Sequence, residues 1–267
     1  MNVLKHYAGG QVKKLKQNFY VHKQLLKTII PFLFTFANAF FGFFSIIKTL
    51  EGNFVAASVC IIFAAVMDMC DGRLARYWGT TGQLGTELDS LCDAVSFCLA
   101  PAVLLYSWYL SGFGHVGFFV SALTLYVCAG LLRLARFNTI ASDQTVFFLG
   151  LPTTIAAFFF AQLILYQELV AESSLDIVLT EKVMVGLVAF IALLMISTLR
   201  FPAFKKMNIA WKKATTYVKI ALLLGVIVWS AQHGYPIVLG CVALYIMGGV
   251  CFNGWIKAFS ASSNRNN

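Results

Sequence analysis

The chain has 267 residues, 60% of them hydrophobic and only 12% charged, where an ordinary soluble domain carries roughly 25% charged residues. That composition excludes a water-soluble globular protein and points to a polytopic membrane protein, for which length alone allows one or two domains. The net charge of +9 would suggest nucleic acid in a soluble chain; here it sorts by membrane side, and no nucleic-acid partner is expected.

Residues 1–30 form a basic N-terminal segment. It is too long and polar for the n-region of a signal peptide. Within 11–27, Val12, Leu15, Phe19 and Leu26 lie near helical spacing between lysines, which reads as an interfacial amphipathic helix or as a solvated basic arm. Eight apolar stretches then follow, at 31–50, 54–76, 86–110, 117–137, 147–168, 182–199, 216–232 and 236–256, each near the length that spans a bilayer. The expected fold is therefore all-α and integral to the membrane, with about eight transmembrane helices. The even count puts both termini on one side. If that side is cytoplasmic, it carries 18 of the 20 Lys and Arg residues; the other side keeps only Lys48 and Lys182. This is the positive-inside pattern, and it predicts a cytoplasmic membrane protein. The seven cysteines include no CxxC pair and read as reduced, packed thiols.

At the cytoplasmic ends of the second and third stretches the chain gathers carboxylates. Five of its 11 acidic residues lie between Asp68 and Asp93: Asp68, Asp71, Glu87, Asp89 and Asp93. Each carboxylate near lipid costs roughly 2.5–3.5 kcal/mol. Asp68 and Asp71 share one helix face at i,i+3, as do Asp89 and Asp93 at i,i+4. The stretch Tyr77–Leu84, with Gly79, Thr80, Thr81 and Gly82, reads as a tight turn that makes the two helices antiparallel neighbours. Converging carboxylates without His or Cys favour one or two divalent cations, Mg or Mn, with Ca possible. Gly72, Ala75 and Gly85 lack bulk and let a ligand approach the backbone; Arg76 is placed for phosphate. An intramembrane salt-bridge cluster is disfavoured, because two nearby arginines cannot neutralise five carboxylates. A proton or cation pathway, as in a cation transporter, is the competing class.

The run Asp71-Gly72-x2-Ala75-Arg76-x8-Gly85-x3-Asp89-x3-Asp93, preceded by Asp68, resembles the signature of the CDP-alcohol phosphotransferase family at all eight fixed positions. The resemblance implies a six-helix membrane core, a homodimer and a cytoplasm-facing site. It implies that Asp68, Asp71 and Asp89 hold two divalent cations that grip the pyrophosphate of a CDP-linked lipid. Asp93 would be the general base and would also reach one metal. Gly72, Ala75, Arg76 and Gly85 would line the nucleotide pocket. Thr35 and Asn38, within Pro31-x3-Thr35-x2-Asn38-x3-Gly42, would face the nucleotide too; on residue type alone they are equally polar helix-packing residues.

Further segments are similar to bacterial phosphatidylserine synthases of that family: the Pro31–Gly42 opening, Ser90–Ala102, Leu132-Arg-Leu-Ala-Arg-Phe-Asn138 and Phe148–Thr153. They imply CDP-diacylglycerol as donor and L-serine as acceptor, with Arg133, Arg136 and Asn138 toward lipid phosphate or serine. Positive-inside bias alone could also place the two arginines. A sibling transferase using glycerol 3-phosphate, inositol phosphate or choline remains the alternative. Cys98 stands where Gly is expected and Thr154 where Pro or a small residue is expected; neither is expected to bear on the metal site. The domain reading is 1–30, a catalytic core at 31–205, a transmembrane hairpin at 206–256 and a polar tail at 257–267.

Overall fold

The computed structural model describes residues 27–80, 82–113, 117–140, 147–170, 180–202 and 240–249. The amphipathic N-terminal segment, the seventh apolar stretch and the tail lie outside them. Helix α1 spans Lys27–Leu50 and stops at Gly52, whose φ of +74° is a left-handed stop that suits glycine. Asn53 then opens α2 (Phe54–Trp78): its side chain accepts the Ala56 amide at 3.0 Å, an N-cap that occupies one otherwise unpaired donor. Helix α2 ends at Gly79, again left-handed at φ 67°, with the Gly79 amide returned to the Ala75 carbonyl.

Helix α3 (Gln83–Asp93) runs through a π-helical turn (Ala94–Leu99) into α4 (Ala100–Phe113), one continuous 31-residue span. The π turn has a chemical cause. Pro101 has no amide to give the Phe97 carbonyl, so the ladder slips locally; the Ala100 amide bonds Val95 O, five residues back. The Phe97 carbonyl is instead satisfied by the Tyr126 hydroxyl at 2.8 Å, from α5 (Gly117–Ile140).

Strand β1 (Phe147–Leu149) follows, then α6 (Thr153–Val170), α7 (Glu181–Ile196) and β2 (Arg200–Pro202). The strands pair antiparallel, Phe148 opposite Phe201. Gly150, at φ +76°, turns the chain from β1 toward α6, its amide on Leu199 O at 2.8 Å. A short apolar helix, α8, covers Gly240–Gly249. The core joins α2, the α3–α4 span, α5, α6 and α7 through Ile61, Phe97, Leu104, Tyr126, Phe160 and Val188.

The expected count of about eight transmembrane helices is corrected. Among the described residues four helices are long and apolar enough to cross a membrane: Lys27–Leu50, Phe54–Trp78, Gln83–Phe113 and Gly117–Thr139. The fifth stretch gives its first residues to β1 and the Gly150 corner, leaving Thr153–Leu169. The sixth ends at Ile196, before β2 takes the chain. At 1.5 Å per residue such helices reach about 25 Å, short of a hydrocarbon core near 30 Å. The even-count argument that set both termini on one side, and the six-helix core, fall with the span count. A multi-span membrane protein remains.

The ends of the bundle separate as the charges suggested. The Thr80 hydroxyl lies 3.5 Å from Lys27 O, so the α2–α3 turn and the start of α1 share one end. Lys48 pairs with Glu51 at 2.7 Å at the other.

Candidate metal and substrate site

The Gly79–Gly82 turn folds α3 back along α2 and brings Asp68, Asp71 and Asp89 together. One carboxylate oxygen from each lies within 4.8 Å of the others. Asp71 is buried at 3% exposure, and neither of its oxygens accepts a well-formed hydrogen bond; nor does Asp89 Oδ1. The Thr35 hydroxyl stands beside Asp71 but is given to the Pro31 carbonyl at 3.1 Å. None of the four aspartates makes an ion pair with a described residue. A salt-bridge cluster is therefore not what holds them. Buried anionic oxygens without donors are costly, and three hard oxygen ligands at this spacing fit a divalent cation.

Asp93 is not one of this close trio, though its charge is in range of all three. It is buried, and its Oδ1 accepts the Asn38 amide at 2.9 Å. Asn38 is fully buried and fixed in turn: its carbonyl accepts the Ser96 hydroxyl at 2.9 Å. Ser96 comes close because position 42 is glycine; a Cβ there would sit 2.6 Å from Ser96 Cα. Three sequence positions thus lock α1 to the π turn beside Asp93.

Arg76 is exposed and folds over Gly72, where an added Cβ would meet its guanidinium at 3.4 Å. It is close enough to Asp68 and Asp89 to act on both charges. A Cβ added at Gly85 would lie 4.0 Å from the Phe32 ring, and the Ala75 carbonyl caps α2. Arg133 and Arg136 take different places. Arg133 is buried, reaches Thr153 Oγ1 at 3.4 Å and has an Nε without a partner; it is also in range of the Asp93 charge. Arg136 binds backbone, donating to Leu149 O at 2.7 Å and Ile196 O at 3.1 Å, which ties β1 to the end of α7. Asn138 accepts from Ser90 at 3.0 Å and donates to Glu87 at 3.2 Å, so Glu87 is held by an amide.

One contact was not expected. The Thr154 hydroxyl donates to Asp68 Oδ2 at 3.1 Å, so position 154 does bear on the carboxylate cluster. The only signal in the sequence was a threonine where proline or another small residue is expected. Cys98 is buried against Gly130, where an added Cβ would lie 2.5 Å from its sulfur.

A helical multi-span membrane protein with a half-buried to buried carboxylate trio suited to a divalent cation, flanked by an aspartate held by Asn38, is the class that fold and site define. Residues 28–188 match the CDP-alcohol phosphatidyltransferase family; the chain belongs to that family and is an enzyme of the CDP-alcohol phosphotransferase class. It is 31% identical over 222 residues to the CDP-diacylglycerol–serine O-phosphatidyltransferase of Helicobacter pylori, covering 81% of this chain and 89% of that protein. It is 42% identical over 135 residues to the enzyme of that name in Mycobacterium leprae, 48% of this chain and 44% of that one. The archaetidylserine synthase of Methanothermobacter thermautotrophicus is 36% identical over 130 residues, 48% of this chain and 54% of the relative.

Proposed function

We propose that this protein transfers the phosphatidyl group of CDP-diacylglycerol to the hydroxyl of L-serine, giving phosphatidylserine and CMP, at a site facing the cytoplasm. The observation that carries the reading is the division of the four aspartates, three converging within 4.8 Å and the fourth held by Asn38. Asp68, Asp71 and Asp89 would hold two divalent cations, Mg or Mn. When bound, these would neutralise charge on the donor's pyrophosphate.

Asp93 accepts the serine hydroxyl proton on Oδ2, the oxygen that Asn38 does not occupy. The freed oxygen attacks the phosphorus bearing diacylglycerol, and CMP leaves. Arg76, exposed above Gly72, meets the donor's phosphates. Arg133 offers its unpartnered Nε to the serine carboxylate, a charge-assisted contact. Arg136 serves this site indirectly, by holding the β1–α7 corner. The bacterial relatives are named for serine, which supports that acceptor over its rivals. A homodimer in the cytoplasmic membrane goes with the family reading.

The test is CMP release by the purified full-length protein from CDP-diacylglycerol, with Mn or Mg, offered labelled serine, glycerol 3-phosphate, inositol phosphate and choline in turn. We expect turnover with serine alone and none after chelation. A labelled lipid from another alcohol would overturn the acceptor; metal-independent turnover would overturn the site.

A further inference from the structure

The α6 start is unusually well fixed for a segment that carries none of the signature residues. The Gly150 amide bonds Leu199 O at 2.8 Å, the Leu151 amide bonds Leu194 O at 3.0 Å, and Arg136 pins Leu149 O at 2.7 Å. Leu151 is wholly buried and Thr153 nearly so. This corner delivers two adjacent threonines to two different groups. Thr153 receives Arg133 at 3.4 Å, and Thr154 donates to Asp68 Oδ2 at 3.1 Å.

Asp68 needs such help. A carboxylate on a helix can rotate about two side-chain torsions, and Asp68 has no ion pair with a described residue to stop it. Asp71 and Asp89 leave buried oxygens without hydrogen-bond donors, whereas Asp68 receives one from a helix 86 residues further along the chain. A donor to a ligating carboxylate fixes which of its lone pairs remain for a cation, and such partners typically contribute 10–100-fold to metal affinity or activity. A proline at 154, one of the residues expected there, could supply no donor; threonine does.

We propose that Thr154 is a positioning residue: its hydroxyl holds the Asp68 carboxylate in the orientation in which it joins Asp71 and Asp89 around a divalent cation. The inference rests on the metal reading above. It predicts that this chain depends on a side-chain hydroxyl at 154 for cation affinity, acting through Asp68.

The experiment is titration of Mn into the purified full-length protein without substrate, free Mn being read by electron paramagnetic resonance. Wild type, Thr154→Val, Thr154→Ser and Asp71→Asn are compared, each with its metal-free thermal midpoint. Thr154→Val should weaken Mn binding about tenfold, with Thr154→Ser near wild type, as expected for loss and retention of an outer hydrogen bond. The metal-free midpoints should coincide, which a merely structural threonine would not give. If Val does not fold, Thr154→Ala against Thr154→Ser makes the same comparison without added bulk. Unchanged Mn affinity in the hydroxyl-free variant overturns the role of Thr154. If wild type and Asp71→Asn bind Mn equally poorly, the metal reading itself fails, a distinct result.

Discussion

At the scale of single residues, the four aspartates have different surroundings. Three bring one oxygen each within 4.8 Å of one another, a spacing that suits a divalent cation; the fourth, one turn beyond Asp89, accepts a neutral amide. The Asn38 hydrogen bond orients Asp93 through a neutral amide, and the proposed mechanism uses its other oxygen as the proton acceptor. Asp93→Asn preserves shape and the polar contact but cannot take a proton. We expect it to retain binding of CDP-diacylglycerol and Mn while CMP release falls by about 10²–10⁴-fold, the usual contribution of a general base. Equilibrium binding beside a steady-state assay makes the check, and near-normal turnover in Asp93→Asn would sink the base assignment. Much of this was legible in the sequence, because the aspartates and glycines sit at short helical spacings that fix which face they share. Thr154 and the Asn38–Asp93 bond were not, since they join residues 86 and 55 positions apart, beyond the reach of any local pattern.

At the scale of elements, close helix approach is set by pairs of positions rather than by single small residues. Gly42 admits Ser96, and Gly130 admits Cys98. The second pair explains how cysteine is accommodated where the family resemblance suggested glycine: the space it takes on the α3–α4 span is given back on α5. A methyl at 130 would meet the Cys98 sulfur at 2.5 Å and the Met195 methyl at 3.2 Å. Gly130→Ala should therefore lower stability by about 1–3 kcal/mol, the range for overpacking a filled core. Cys98→Ala in the same chain removes the sulfur and should restore most of that loss. Thermal midpoints in detergent for the two single variants and the double variant measure the coupling, which is expected to be large because the residues touch. Additive effects would mean that the two positions are not in contact. The π turn obeys a similar logic. Pro101 breaks the ladder and Tyr126 repairs it from α5, so the irregular segment next to Asp93 is held by a partner helix. The proline was visible in the sequence, but the tyrosine that answers it could be found only in three dimensions.

At the scale of the whole molecule, hydropathy overcounted the spans because an apolar stretch does not report how its backbone is used. Residues 147–149 are apolar enough for a membrane helix, yet they pair as a strand with 200–202 and bend the chain at Gly150. Charge sorting over the whole chain used the same span count, but its part around the first two helices rests on residues whose ends the structure describes. Asp68, Arg76 and the Gly79 turn share one end of the bundle with the start of α1; Glu51, Lys48 and Asn53 mark the other. Helix α1 has 24 residues and at 1.5 Å per residue separates these ends by about 36 Å, enough to cross a hydrocarbon core of roughly 30 Å. The proposed reaction needs the site on the cytoplasmic side, the side that the positive-inside bias predicts for it, where a soluble amino acid and cations can reach it. Two exposed positions test this: Gln83 beside the site and Glu51 at the far turn. With exposed Cys128 and Cys241 changed to serine, a membrane-impermeant maleimide applied to spheroplasts should label Glu51→Cys and spare Gln83→Cys. Inverted vesicles should give the reverse. Labelling of Gln83→Cys from outside the cell would place the carboxylate cluster on the wrong face for the proposed reaction, whatever its affinity for metal.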